Sequence, residues 1–169
     1  MKVLQVVGYK NAGKTTLVCE IVRMLASEGI TVGTLKRDDH GADPEPEGVD
    51  TRRMREAGAS MTALVSAQRL MWVQEQSATL EQLLDAMRDG GVEAVIVEGF
   101  KTAAYPKLIL PRGDEDAGLF RLDNIIGAVL RAPSLALEKE AAEMGIPIYR
   151  MQNEGFRPVL AAVRKWYNS

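Results

Sequence analysis

Cysteine and histidine each occur once in 169 residues, as Cys19 and His40. That scarcity excludes an internal disulfide, a cysteine-cluster metal site and a metal site built on several histidines. Cys19 lies in a helical pattern and reads as a small buried hydrophobe. His40 lies on a polar loop, where packing within the loop, simple exposure and contact with substrate all stay open. A surplus of one charge is also missing: 21 Lys and Arg stand against 23 Asp and Glu, a formal net charge of -2. Neither the basic excess of a nucleic-acid binder nor an acidic tail is present. No apolar run approaches the ~18 residues of a membrane span. The apolar stretch within "MKVLQVVGYKN" is too short for a secretory signal and has no small-residue cleavage site. A cytoplasmic protein with no membrane or nucleic-acid partner is expected.

With 46% hydrophobic and 26% charged residues, the chain has the composition of an ordinary globular protein. At this length it buries roughly 70% of the surface its unfolded form would expose. One domain over residues 1–169 is expected. Residues 3–7 read as a buried strand, and residues 14–28 as a helix with Leu17, Val18, Ile21, Val22 and Leu25 at helical spacing and Gly29 as its stop. A strand at 30–36 completes a strand, helix and strand unit, which builds parallel sheets. "RDDHGADPEPEGVD" reads as a mobile loop. "TRRMREAG" reads as a short helix, "SMTALVSA" and "LMWVQE" as two strands around a turn at Gln68 and Arg69, and Leu80 to Arg88 as a helix. After "GG" at 90 and 91 comes the apolar strand "EAVIVEG". An edge strand at "PKLIL", a strand at "NIIGAVL", a helix from Ser134 to Met144, a strand at "IPIYR" and a helix from Gly155 to Tyr167 complete the expected order. Strands alternating with helices predict an α/β domain with three layers and a largely parallel central sheet. Trp72 and Trp166 fall in apolar-periodic segments, as core or interface anchors.

"GYKNAGKTT" follows the first strand directly. Gly8, Gly13, Lys14 and Thr15 fit the phosphate-loop pattern G-x-x-x-x-G-K-[ST], in the strand-to-helix setting that its mechanism needs. The glycines let the backbone curl so that N–H groups of Lys10, Asn11, Ala12, Gly13, Lys14, Thr15 and Thr16 point at phosphate oxygens, and the helix adds its dipole. Lys14 is expected at the β- and γ-phosphates and the Thr15 hydroxyl on Mg²⁺. A P-loop NTPase fold follows. The loop needs an acid at the end of another buried strand, and "AVIVEGFK" offers Glu98. This glutamate either reaches the metal, holds its water or orients an attacking water; otherwise it is a solvated strand end. At the end of the second strand "TLKRDDHG" offers Asp38 for a metal-bound water or a nucleophile, with Lys36 and Arg37 to neutralise phosphate charge. A merely solvated loop is the alternative. Arg52, Arg53, Arg55, Lys101, Lys107 and Arg112 form a further basic set, most of it expected to be a solvated face.

"GYKNAGKTT", "VGTLKRDDHG", "GVDTRRMREAGA" and "VEGFKTAAYPKL" together resemble the successive motifs of the molybdopterin-guanine dinucleotide biosynthesis protein B family, MobB, from the N-terminus to about Leu110. "VEGFK" followed by "PK" is not a general phosphate-loop feature. Beyond residue 113 the likeness is mainly length and element order. The resemblance implies a GTP-binding protein with weak GTPase activity that assists attachment of a guanine nucleotide to molybdopterin. It would act as an adapter to the guanylyltransferase MobA and form a homodimer, with molybdopterin itself a further candidate ligand. Carried over by motif, Gly8 to Thr16 hold GTP, Glu98 and Asp38 serve magnesium with Thr15, and Lys36, Lys101 and Lys107 are candidates for anionic ligands. Lys14, Asp38 and Glu98 are the expected catalytic residues. No N-K-x-D base-reading motif is present, and Asn153 is a candidate for reading guanine. The competing reading is an ATP-dependent small-molecule kinase or ligase.

Overall fold

The computed structural model describes residues 1–38, 41, 43–151 and 155–169. These residues group into two compact units: 1–37 with 84–169, and 38–83.

The first unit is built on a sheet of six strands in the order β2-β5-β1-β6-β7-β8: β1 (Lys2–Val7), β2 (Val32–Lys36), β5 (Ala94–Glu98), β6 (Lys107–Ile109), β7 (Ile125–Leu130) and β8 (Ile148–Arg150). Every pairing in it is parallel. β5, "AVIVE", is buried at all five positions. Unbroken apolar runs are what a parallel strand needs when both faces are covered. Along β1, Leu4 and Val6 enter one core with Leu17, Ile21 and Leu25 of α1 (Lys14–Ser27) and Val159 and Val163 of α5 (Arg157–Asn168). Val7 enters the other core, with Phe120 of a 3-10 helix (Asp114–Arg121) and Leu137 and Ala141 of α4 (Leu135–Glu143). Alternation along the strand thus feeds two layers of helices, giving the expected three-layer α/β architecture. Ser134 caps α4, its hydroxyl accepting from the Leu137 N–H at 3.1 Å.

Two expectations are corrected in this unit. "PKLIL" is not an edge strand: β6 lies between β1 and β7, fully buried, because two further strands follow it in the sheet. Cys19 is exposed, on the side of α1 away from Leu17, Ile21 and Leu25. The 3-10 helix at Asp114–Arg121 has no counterpart among the expected elements.

The second unit carries α2 (Asp50–Glu56) and the antiparallel hairpin of β3 (Met61–Val65) and β4 (Leu70–Gln74), with its turn closed by the Ser66 N–H on the Arg69 carbonyl at 2.9 Å. α3 (Leu80–Asp89) begins within it. Trp72 is 55% exposed rather than a core anchor. The loop expected to be mobile is tied down over its later part. Arg55 bonds Asp43 and Glu45, each at 2.7 Å, and Glu75 as well. Thr51 donates to Glu45. The Asp43 carboxyl is held below its ordinary range by the Glu45 N–H first and by Arg55 second. Among the described residues no helix is long and apolar enough to cross a membrane.

Candidate functional site

The phosphate-loop segment starts where β1 stops. At Gly8 a β-carbon would lie 2.8 Å from the Leu110 carbonyl oxygen, so only glycine lets the loop leave the sheet beside β6. Asn11 and Gly13 then take positive φ values of 64° and 89° and turn the chain into α1. Gly13, as N-cap, brings no side chain to the first turn. The main-chain N–H groups there are left for another acceptor, which suits an anion. Lys14 arches back over the loop, its Nζ donating to the Tyr9 carbonyl at 2.8 Å.

Sheet register delivers the acid. Glu98 is the last residue of β5, opposite Val6 on β1 and opposite Lys36 on β2. From there its Oε2 accepts from the Thr15 hydroxyl at 2.8 Å, and its Oε1 lies 3.8 Å from Lys36 Nζ. Gly99 and Phe100 follow with φ of 97° and 53°. Gln5, buried in β1, holds this turn by donating from Nε2 to the Gly99 and Phe100 carbonyls at 3.1 and 2.7 Å.

Cations crowd the same place. Lys101 Nζ is 3.9 Å from the centre of the Tyr9 ring, with the Arg112 guanidinium 5.3 Å from that ring. Arg112 is fixed by Asp116 in a two-pronged pair, both contacts at 2.7 Å. The pKa of Lys14 is lowered, chiefly by burial; Lys101, Lys36 and Arg112 lower it further and Glu98 opposes them. A partly desolvated ammonium among other cations has one natural remedy, which is a bound anion.

The structure therefore brings together Gly8 to Thr16, Lys36, Glu98 and Lys101. Arg37 lies beside them, its N–H on the Glu98 carbonyl at 3.0 Å and its guanidinium 5.4 Å from the Phe100 ring. Lys107 is a correction. It is buried, and its ammonium is spent on the Ala103 and Asp123 carbonyls at 2.9 and 2.6 Å, so it serves the frame rather than an anionic ligand. Asp38 opens the second unit. Asp39, His40 and Asn153 lie outside the described residues. Sequence reasoning missed Gln5 and Arg131. Arg131 follows the end of β7, and its guanidinium lies against Gly13. The rule that picked out Glu98, a polar residue ending an apolar strand, picks out Arg131 in "VLRAP" too.

For magnesium the donor set is suitable: a hydroxyl and a carboxylate already in contact, both hard oxygen donors. The Thr15 hydroxyl donates its hydrogen bond to Glu98, which leaves the oxygen lone pairs for a cation.

Residues 3–131 match the family model for molybdopterin guanine dinucleotide synthesis protein B. The probable molybdopterin-guanine dinucleotide biosynthesis adapter protein of Bacillus subtilis is 32% identical over 149 residues, covering 87% of this chain and 84% of that one. The adapter protein of Haemophilus influenzae is 30% identical over 138 residues, covering 80% and 78%. The crystal structure of Bacillus subtilis MobB superposes with a TM-score of 0.82 at 29% identity, over 98% of this chain and 97% of that one. A phosphate-loop segment between β1 and α1, an acid at the end of the neighbouring strand and these likenesses lead to one conclusion: the chain belongs to the MobB family of molybdopterin-guanine dinucleotide biosynthesis adapter proteins.

Proposed function

We propose that this chain is a GTP-binding adapter, weakly hydrolytic, that works in the cytoplasm with the guanylyltransferase MobA. The observation that carries the nucleotide reading is the Thr15 to Glu98 hydrogen bond at 2.8 Å. It joins the end of the phosphate loop to the acid of the next strand, which is where a nucleotide's metal would need both. Lys14 balances charge on the β- and γ-phosphates, and the N–H groups of the first turn of α1 accept the phosphate oxygens. Magnesium, held by Thr15 and Glu98 with Asp38 as a further candidate, would neutralise charge on the triphosphate. Glu98 or Asp38 orients the water that attacks the γ-phosphate, and Lys36, Arg37 and Lys101 offset the anionic charge of the ligand.

The homodimer implied by the family resemblance needs an exposed surface. The hairpin supplies one: Met61, Val65, Leu70 and Trp72 share a face in the β3–β4 register and are all exposed. Exposed apolar groups of this kind favour association with a second copy. Light scattering should find a dimer that Val65→Asp with Leu70→Asp turns into a monomer; an unchanged mass would remove the hairpin from the interface.

Competition decides the nucleotide. With Mg²⁺ present, GTP should displace a fluorescent non-hydrolysable GTP analogue better than ATP does, and Lys14→Ala should lose binding by a hundredfold or more, on the order of 3 kcal/mol. Equal or better displacement by ATP would replace the GTP adapter with an ATP-using kinase or ligase. A nucleotide-dependent pull-down of MobA tests the partner.

A further inference from the structure

The space in front of Gly13 is filled by a guanidinium. A β-carbon built on Gly13 would fall on Arg131 Nη2, with Cζ at 2.8 Å and Nε at 3.2 Å. One whole edge of the guanidinium therefore faces the glycine that opens the phosphate loop into α1. Arg131 reaches this place from the residue after β7, two strands away from β1 across β6. Its φ of 89° and lack of a side chain make Gly13 the point where the loop can be approached most closely.

The acid of that neighbourhood, Glu98, is already bonded to Thr15 and faces Lys36, and among the described residues no carboxylate pairs with Arg131. The start of α1 is the positive end of a 14-residue helix with no side-chain cap. Lys14 is already under pressure from Lys101, Lys36 and Arg112. Arg112, on the preceding loop of the same sheet edge, is satisfied by Asp116. Among the described residues the Arg131 side chain has no hydrogen bond or ion pair. Arg131 is exposed to solvent, and a guanidinium set at the glycine where a helix begins uncapped is placed to bond an anion seated there. Its planar fork matches two phosphate oxygens at once.

We infer that Arg131 is a nucleotide-contacting residue: its guanidinium bonds the oxygens of the phosphate seated at Gly13, so that the site grips di- and triphosphates through a cation delivered from β7. The inference rests on the nucleotide reading above. The contact is to phosphate and not to the base, so it strengthens GTP and ATP alike.

The test uses the full chain with Mg²⁺ and the fluorescent non-hydrolysable GTP analogue, comparing the unaltered protein, Arg131→Ala, Arg131→Lys and Lys14→Ala, with GTP, GDP and ATP as competitors. Melting without nucleotide checks that each variant folds. Arg131→Ala should weaken the analogue, GTP and GDP by roughly ten- to a hundredfold, the loss of a charge-assisted hydrogen bond. Its GTP-to-ATP ratio should be unchanged, and Arg131→Lys should recover part of the loss. Affinity equal to or tighter than that of the unaltered protein would overturn the inference and leave the nucleotide reading standing, with Arg131 a bystander or a plug. A loss confined to one base would overturn it too, by moving the contact to the base. If the unaltered protein binds no nucleotide, both readings fall. If Arg131→Ala does not fold, Arg131→Gln takes its place, and an affinity for GDP and GTP equal to that of the unaltered protein overturns the phosphate contact.

Discussion

The two units of this chain bury their apolar residues in opposite ways. In the first, β5 is covered on both sides and its five residues are all buried. In the second, the hairpin leaves Val65 73%, Leu70 64% and Trp72 55% exposed, while the side chains of two charged residues, Glu45 and Arg55, are largely withdrawn from solvent. The first unit is a sheet packed between helices, where the area removed from water dominates. The second keeps an apolar face outward and takes its order from an arginine bonded to three carboxylates. One unit is the platform that carries the phosphate-loop segment, and the other keeps an exposed apolar face.

The sharpest way to break that contrast is a pair of truncations followed by urea unfolding. Ile96→Ala, in the middle of β5, should cost about 2–5 kcal/mol, whereas Val65→Ser should stay within roughly 0.5 kcal/mol. Comparable losses would mean that the hairpin is as deeply involved in the core as β5. Next in size, Arg55→Leu strands Asp43, Glu45 and Glu75 together. Amide exchange should then rise across 43–56 while β1 and β5 keep their protection, and exchange rising everywhere would show a single cooperative body.

Gln5→Leu probes the platform itself. It removes both bonds that hold the Gly99 and Phe100 carbonyls, and a loss of about 1–3 kcal/mol in stability is expected, together with weaker nucleotide binding through a displaced Glu98. Unaltered binding would show that the turn holds itself. Acid titration compares ion pairs. Asp116 has its pKa lowered, first by the Arg112 hydrogen bond. The folded carboxyl therefore releases its proton at lower pH than the unfolded one. Its stabilisation is complete above the unfolded value of 3.8 and is lost as pH falls through the depressed folded value. Asp116→Asn should flatten that part of the acid unfolding curve; an identical curve would take Asp116 out of the titration. The smallest expected effect has the opposite sign. Thr62 is buried in the hairpin, and its hydroxyl has no partner among the described residues. Thr62→Val should add about 1 kcal/mol, and a loss instead would reveal a bond to the hydroxyl.

Much of the platform could be read from the sequence because its signals are local. The glycines and lysine of the phosphate-loop pattern act within one turn of chain, and apolar runs such as "AVIVE" are the direct mark of strands covered on two faces. Glu98 was legible for the same reason, as a charge that ends such a run. Lys107 was misread because its type and its neighbourhood in sequence said nothing of the Ala103 and Asp123 carbonyls that close around it. Cys19 was misread because a helix buries only one stripe, and helical spacing alone does not say on which side of that stripe a small residue falls.

The sequence by itself determined the order of the elements, the phosphate-loop segment with its acid and the family. Those features are set by short-range backbone geometry and by the period of apolar residues. Strand order and register were decided only in the tertiary structure, because parallel pairing joins residues far apart in the chain and has no local signature. That pairing places β6 inside the sheet, sets Glu98 against Val6 and Lys36, and carries Arg131 across two strands to Gly13.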